Sequence, residues 1–106
     1  MDILNARIED TYLGYDEGIL TYYLDLYFST RDDQKIGGYE LDESINDDDG
    51  GRIPTQVGFE MVARILKIVG AKNWEALKGQ NIRVAFEGPR ATKLGHLFDD
   101  TWLELG

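Results

Sequence analysis

The side chains of this chain that could do chemistry concentrate in one stretch of its second half. Five polar or cationic residues fall within sixteen positions: Asn81, Arg83, Arg90, Lys93 and His96. A guanidinium offers a fork of donors that matches phosphate oxygens, and an ammonium adds a point charge. Phe86, Tyr39 and Trp74 are candidate stacking surfaces for a nucleobase. The stretch therefore predicts a pocket for a small anionic ligand, although in the alternative interpretation Arg83 and Lys93 pair with acids on neighbouring strands.

No pattern for catalysis or metal binding accompanies these residues. The chain has no cysteine and a single histidine, His96, whose neighbours Asp99 and Asp100 lack a recognised ligand spacing. The sequence NDDDGG at 46–51 fails as a calcium loop, because neither glycine register places the required carboxylates. Phosphate-loop and dinucleotide motifs are absent from the sequence. We therefore expect a binding protein rather than an enzyme, with no metal and no cofactor.

The charge of the chain is unevenly distributed. Its 106 residues carry a net charge of −9. Residues 1–50 hold fourteen Asp or Glu against three Lys or Arg, whereas residues 51–106 hold six against eight. An overall negative field repels nucleic acid, so we expect no direct binding of DNA or RNA. The acidic half could instead imitate a nucleic-acid backbone, and the basic half could hold a small anion.

Composition predicts one compact domain over residues 1–106. The chain is 42% hydrophobic and has eleven per cent aromatic residues, which is enough for one modest core. No apolar run reaches the roughly 18 residues of a membrane span, and no signal-like segment opens the chain. We expect a soluble, cytoplasmic protein without a membrane partner.

Hydrophobic periodicity predicts the elements that position these side chains. Five segments alternate or are rich in strand-forming residues, and we predict them as strands: 3–13, 19–28, 34–41, 81–87 and 91–98. Apolar residues at helical spacing over 57–69 predict one long helix, opened by Thr55 and closed by Gly70. Asn73 caps a short helical turn. The fold class is therefore α+β, a curved antiparallel sheet (βββαββ) packed on one long helix.

The remaining segments are predicted as connections. The first two strands form a hairpin whose loop, 14–18, is longer than the tightest turns use. Residues 42–54 form a loop and residues 99–106 a closing turn. The pair Gly37–Gly38 makes a bulge or bend within the third strand, where bare backbone beside Tyr39 would suit close approach by a ligand or partner chain.

Alternation along the strands also predicts which side chains enter the core. The apolar set of the second strand points inward: Leu20, Tyr22, Leu24, Leu26 and Phe28. Ala6, Ile8 and Tyr12 share the inward face of the first strand. Ile19, Tyr23 and Tyr27 face outward and expose more apolar area than a solvated face should, so we expect a homo-oligomer to cover them. Trp74 and Trp102 are expected to anchor the core or an interface.

Several stretches between residues 5 and 102 resemble a family of small phage and prophage proteins: NARIEDTYLGYDEGILT, GGYELD, ILKIVGAKNWEALKGQNIRV and LGHLFDDTW. Among characterised proteins the chain resembles the first-type Thoeris anti-defence proteins. These are oligomeric sponges that bind cyclic ADP-ribose-like immune signals, and in some members cyclic oligonucleotides, without cleaving them. The resemblance implies a symmetric assembly in the host bacterial cytoplasm. It also implies nucleotides at subunit interfaces, held by arginines and aromatic residues.

The leading hypothesis is accordingly a phage anti-defence protein that sequesters a cyclic nucleotide signal. Residue chemistry selects the candidate ligand-binding set: Gly37, Gly38, Tyr39, Asn81, Arg83, Phe86, Arg90, Lys93 and His96. The alternative is an acidic, anti-CRISPR-like inhibitor that binds a host defence protein, with residues 47–49 as its acidic centre. A structural or DNA-metabolism accessory of a phage is a third hypothesis.

Overall fold

A computed structural model of the chain describes residues 2–45 and 51–105. Within them the elements follow the order β1 (Asp2–Asp16), β2 (Ile19–Tyr27), β3 (Gln34–Gly37), β4 (Asp42–Ser44), β5 (Arg52–Pro54), α1 (Gln56–Val69), a 3-10 turn (Trp74–Leu77), β6 (Asn81–Glu87), β7 (Arg90–Gly95) and β8 (Trp102–Glu104). Six strands form one antiparallel sheet in the order β3-β2-β1-β6-β7-β8, and β4 pairs with β5. The large sheet curls into a half-barrel, which confirms the α+β class and the curved antiparallel sheet.

The core lies on the inner face of the curled sheet, where α1 and the 3-10 turn cover it. The fully buried large side chains come from the strands, the helix and the turn: Tyr22, Phe86, Ile8, Leu24, Leu26, Ile65, Leu77, Ile82, Leu94 and Val84. The predicted inward face of β2 is confirmed, since only Leu20 of that set is partly exposed. Helix α1 contacts the sheet mainly at β7 and β8, and this places its polar face beside an edge strand.

The helix and its caps are confirmed. The side chain of Thr55 accepts a hydrogen bond from the Gly58 N–H at 2.9 Å, which satisfies a donor of the first turn. Gly70 ends the helix in the left-handed conformation (φ 84°) and donates to the Leu66 carbonyl. Asn73 caps the 3-10 turn by accepting from the Ala76 N–H at 2.8 Å.

The β1–β2 hairpin differs from its prediction in two ways. Its turn is the two residues Glu17 and Gly18, both at positive φ (52° and 81°), so the longer loop is wrong. Positive φ at both central positions gives a turn whose twist matches the flanking strands. An irregularity in the register between Ile8 and Asp10 also shifts the alternation of β1. Tyr12 therefore lies opposite Tyr23 and is half-exposed, and its predicted inward orientation is wrong.

The glycine pair ends β3, so the predicted strand over 34–41 is too long. Gly37 and Gly38 have φ of 119° and 82°, where L side chains are strained. The Gly38 N–H donates to the Tyr22 carbonyl at 2.7 Å, and a Cβ on Gly37 would overlap that oxygen. The chain then leaves the ladder, and the Leu41 N–H rejoins β2 at the Leu20 carbonyl, 2.8 Å away.

Three short strands lie in segments that the sequence predicts to be a loop and a closing turn. The loop expected over 42–54 contains β4 and β5, and the closing turn contains β8, which pairs with β7. The βββαββ order is therefore wrong in its strand count. Residues 46–50 lie outside the described residues, so the calcium-loop comparison and the acidic run at 47–49 concern a segment on which the structure gives no information.

Candidate functional site

The partly buried side chain of Arg83 is held in place by backbone carbonyls. Its Nε donates to the His96 carbonyl and its Nη2 to the Asp99 carbonyl, both at 2.8 Å. The guanidinium carbon lies 4.8 Å from the centroid of the Trp102 ring, close enough for a cation–π contact. Arg83 therefore fastens the 96–101 turn to β6, and its partners are carbonyl groups rather than the acids of the alternative interpretation.

His96 and Lys93 also make contacts within the protein. The Nδ1 atom of His96 accepts from the N–H groups of Phe98 (3.1 Å) and Asp99 (3.0 Å). Because Nδ1 is an acceptor, the neutral ring carries its proton on Nε2. The Nζ atom of Lys93 lies 3.7 Å from the Glu104 carboxylate on the neighbouring strand β8. That ion pair is the one the alternative interpretation expected for Lys93.

Phe86 is a core residue rather than a stacking surface. Its side chain is 0% exposed and packs edge-on against Phe28, with 5.4 Å between ring centroids. The guanidinium of Arg31 lies 4.1 Å from the Phe86 ring centroid. Asn81 and Arg90 are exposed at opposite ends of the β6–β7 hairpin.

The glycine pair and Tyr39 lie in another part of the sheet. Three strands separate β3 from β7 in the sheet order. Tyr39 is half-exposed and lines an apolar cavity of about 380 Å³ with Leu41, Val57 and Leu105 among others. The structure therefore divides the nine predicted residues between the β3 edge and the β6–β7 half of the sheet.

A different set of residues forms the cavity in which cations and an aromatic ring meet. This α1–β8 groove has a volume of about 400 Å³ and is lined by Met61, Arg64, Lys67, Ile68, Trp102, Leu103 and Glu104. Lys67 and Ile68 follow Arg64 by three and four residues, which puts both beside Arg64 on the surface of α1. The lining thus combines apolar residues, two helix cations and a tryptophan.

Trp102 is fixed in position by its neighbours. It lies opposite Gly95, where a Cβ would come within 2.5 Å of the indole Cε3 atom, so only glycine lets the ring lie against β7. The indole Nε1 donates to the Asp100 carboxylate at 3.0 Å, and Arg83 packs on the ring. Trp102 is therefore a fixed member of the groove's lining.

The local charge around the groove is positive, unlike that of the whole chain. Arg64 and Lys67 line it, and Lys93 partly neutralises Glu104, the one carboxylate of its lining. Sequence reasoning missed Arg64 and Lys67 because charged residues on an amphipathic helix usually face solvent. The signal available in the sequence was their three-residue spacing beside Ile68.

A buried ion pair fixes the segment that leads into α1. Asp42 is 4% exposed and accepts hydrogen bonds from the Arg52 Nε (3.0 Å) and from the Leu20 N–H (3.1 Å). The hydrogen bond from Arg52 is the main cause that lowers the pKa of Asp42. The contact ties β4 and β5 to β2 and so sets the start of the helix.

The described residues contain neither a cluster suited to a metal ion nor a membrane-spanning helix. Over 2–45 and 51–105 no three His, Asp or Glu side chains are arranged to hold a metal ion. No helix in those ranges is long and apolar enough to cross a membrane.

The α1–β8 groove offers an anion-binding surface with a planar ring, which suits binding of a phosphate-bearing aromatic molecule.

Comparison with protein-family models, curated proteins and solved structures found no match to this chain.

Proposed function

We propose that this protein binds a small cyclic nucleotide in the α1–β8 groove and sequesters it without cleaving it. The single observation that carries the proposal is that Arg64, Lys67 and Trp102 line one groove of about 400 Å³. That volume lies within the range of roughly 300–1,000 Å³ of small-molecule sites.

The two helix cations would bind the phosphates. Arg64 is exposed on α1, and its guanidinium can give two parallel hydrogen bonds to phosphate oxygens. Lys67 lies one turn further along and can reach a second oxygen or a second phosphate. Both charges stand beside the apolar residues Met61 and Ile68, which reduces competition by water.

The indole of Trp102 would stack on the base. Stacking of a base on an aromatic side chain contributes about 1–3 kcal/mol and requires no particular base identity. Because Gly95 and Arg83 already fix this ring, little conformational entropy is lost when a ligand stacks on it.

Binding without reaction is consistent with the groups that line the groove. Its lining supplies one carboxylate, Glu104, and neither a hydroxyl nor an imidazole that could act as a nucleophile. The resemblance to the first-type Thoeris anti-defence proteins then specifies the ligand class as a cyclic ADP-ribose-like immune signal and the setting as phage evasion of bacterial defence. In that setting the protein acts as a homo-oligomer, and a second subunit closes the open side of the groove.

Charge-matched variants test the assignment of the groove. Lys67→Gln removes one cation from it, and Lys72→Gln removes one cation from an exposed position just beyond the helix. With cyclic ADP-ribose as the probe in isothermal titration, we expect Lys67→Gln to weaken binding by about tenfold, the loss of one charge-assisted contact. Lys72→Gln should bind as the wild type does. Equal losses in the two variants would mean that only the net charge matters, and the groove assignment would be wrong.

A further inference from the structure

A second groove, of opposite charge, lies on the outer face of the sheet. It has a volume of about 380 Å³ and is lined by Asp10, Thr11, Tyr12, Asp16, Tyr23, Asp25 and Lys35 from β1, β2 and β3. Tyr12 and Tyr23 are register partners, with ring centroids 6.1 Å apart and planes inclined at 46°. We call this surface the tyrosine–aspartate groove.

Hydrogen bonds hold the two rings so that they present faces rather than hydroxyl groups. The Tyr23 hydroxyl donates to the Asp16 carboxylate at 2.9 Å, and the Tyr12 hydroxyl donates to the Tyr15 carbonyl. An aromatic face is electron-rich and attracts cations. The orientation of the rings therefore favours a positively charged ligand.

The carboxylates of the groove repel one another. Asp10 and Asp25 lie directly opposite on β1 and β2, an arrangement that is destabilising for like charges. Two ammonium groups offset them at the limit of ion pairing, Lys78 at 3.9 Å from Asp10 and Lys35 at 3.9 Å from Asp25. The hydrogen bond to Asp16 and the surrounding negative charge raise the pKa of Tyr23, in accord with a negative local potential. A further cation would relieve this repulsion.

The protein itself provides a precedent for such a cation. The Nζ atom of Lys35 lies 5.1 Å from the Tyr23 ring centroid while it pairs with Asp25. One ammonium is thus already held between a ring and a carboxylate on one side of the groove. On the other side the Tyr12 ring lies beside Asp10, whose carboxylate a ligand cation would share with Lys78 at 3.9 Å.

We propose that the tyrosine–aspartate groove docks a lysine or arginine side chain from a basic segment of a protein partner. Charge complementarity selects this occupant: the groove has three carboxylates and one ammonium in its lining, on a chain of net charge −9. Nucleic acid and anionic membranes carry the wrong sign. The site is separate from the α1–β8 groove and does not depend on nucleotide binding.

Fluorescence anisotropy with a labelled octapeptide of alternating lysine and arginine, at 150 mM NaCl, tests the proposal. The double variant Asp10→Asn/Asp25→Asn removes two carboxylates from the groove, and Asp32→Asn/Asp33→Asn removes two exposed carboxylates from the β2–β3 turn. We expect about tenfold weaker binding for the first variant and less than about twofold for the second, because screened surface charges contribute little. Equal effects would overturn the proposal, as would a failure of the wild type to bind the peptide saturably.

Removal of the resident lysine gives a test of the opposite sign. Lys35→Gln frees the Tyr23 ring and Asp25 for the peptide, so we expect binding to tighten by about threefold. Lys72→Gln makes the same charge change elsewhere and should leave the affinity unchanged; an equal gain in both variants would overturn the proposal. Sedimentation of the same samples identifies a different occupant. A dimer that dissociates in Asp10→Asn/Asp25→Asn would mean that a second copy covers this face and that the proposal is wrong.

Discussion

At the scale of single residues, the cationic side chains of this protein fall into two groups according to their contacts. Arg83 donates to two carbonyls and packs on Trp102, so it helps to fix a residue that lines the α1–β8 groove. Arg64 and Lys67 instead lie exposed at the rim of that groove. Cationic side chains therefore stabilise the fold in one place and, as we propose, bind a ligand in the other.

The buried hydroxyl of Tyr22 makes no hydrogen bond that could stabilise the fold. The side chain is 0% exposed, its hydroxyl has no hydrogen-bond partner, and burial raises its pKa. Because an unpaired buried hydroxyl is costly, we expect Tyr22→Phe to leave the free energy of unfolding unchanged or to raise it by about 1 kcal/mol. Urea denaturation measures this directly.

The neighbouring residue provides the matched control. Thr21 is also buried, but its hydroxyl donates to the Tyr39 carbonyl at 2.8 Å. Thr21→Val should therefore lower the free energy of unfolding by about 1–2 kcal/mol. A comparable loss in Tyr22→Phe would contradict the account, since it would require a partner for the Tyr22 hydroxyl.

The Asp42–Arg52 pair predicts a pH dependence of stability. Arg52 lowers the pKa of Asp42 in the folded state, so the Asp42 carboxylate binds a proton more tightly in the unfolded state. The stabilisation is therefore fully present above the unfolded pKa of about 4 and is lost as the pH falls through the lower folded value. We expect Asp42→Asn to be less stable than the wild type at pH 7, with a gap that narrows towards pH 3. Denaturation at a series of pH values tests this, and a gap of constant size would count against it.

At the scale of elements, Gly37 and Gly38 decide where β3 ends. The sequence suggested that the bare backbone lets a ligand or partner chain approach closely. In the structure, the group that approaches this backbone is the Tyr22 carbonyl of the same chain. This contact ends the ladder and directs the chain towards β4. It explains the glycines without a ligand.

Gly37→Ala tests that role against Gly18→Ala. Both positions have positive φ, but a Cβ at Gly18 would meet no atom within 4 Å, whereas a Cβ at Gly37 would overlap backbone. We expect about 1 kcal/mol of destabilisation for Gly18→Ala, from the left-handed conformation alone. Gly37→Ala should cost clearly more. An equal loss of thermal stability in the two variants would show that the contact with the Tyr22 backbone does not restrict the side chain at position 37.

The elements that sequence predicts correctly are those with a long local pattern. The α1 helix has fourteen residues with a cap at each end, and β2 alternates over its nine residues. The strands β4, β5 and β8 have three residues each, too few to display a period. Their pairing depends on contacts between separate segments, such as Asp42 with Arg52 and Gly95 with Trp102, rather than on a pattern within each strand.

The contacts of the predicted site residues could not be read from the sequence for a similar reason. Which cation binds a ligand depends on the partners within its reach, and those of Arg83 are 13 and 16 residues away in sequence. Residue chemistry favoured the basic second half of the chain, which also contains the groove that we propose. It selected Arg83 and Phe86, which packing uses, and passed over Arg64 and Lys67 on the helix.

At the scale of the whole molecule, two grooves of opposite charge correspond to the uneven charge of the two halves of the sequence. The tyrosine–aspartate groove comes entirely from residues before 50, and the α1–β8 groove entirely from residues after 50. The global charge of −9 opposes an anionic ligand at long range, but salt screens it beyond about 8–10 Å. The binding that we propose in the α1–β8 groove would therefore be governed by Arg64 and Lys67.

Recovery of the bound ligand tests the central claim most directly. The protein is mixed with cyclic ADP-ribose, the free ligand is measured after filtration, and the retained fraction is heated and identified by mass spectrometry. We expect the wild type to deplete the free ligand, Lys67→Gln to deplete it less, and heating to release it with unchanged mass. No depletion by the wild type, or release of a cleaved product, would contradict the claim that this protein sequesters a cyclic nucleotide intact.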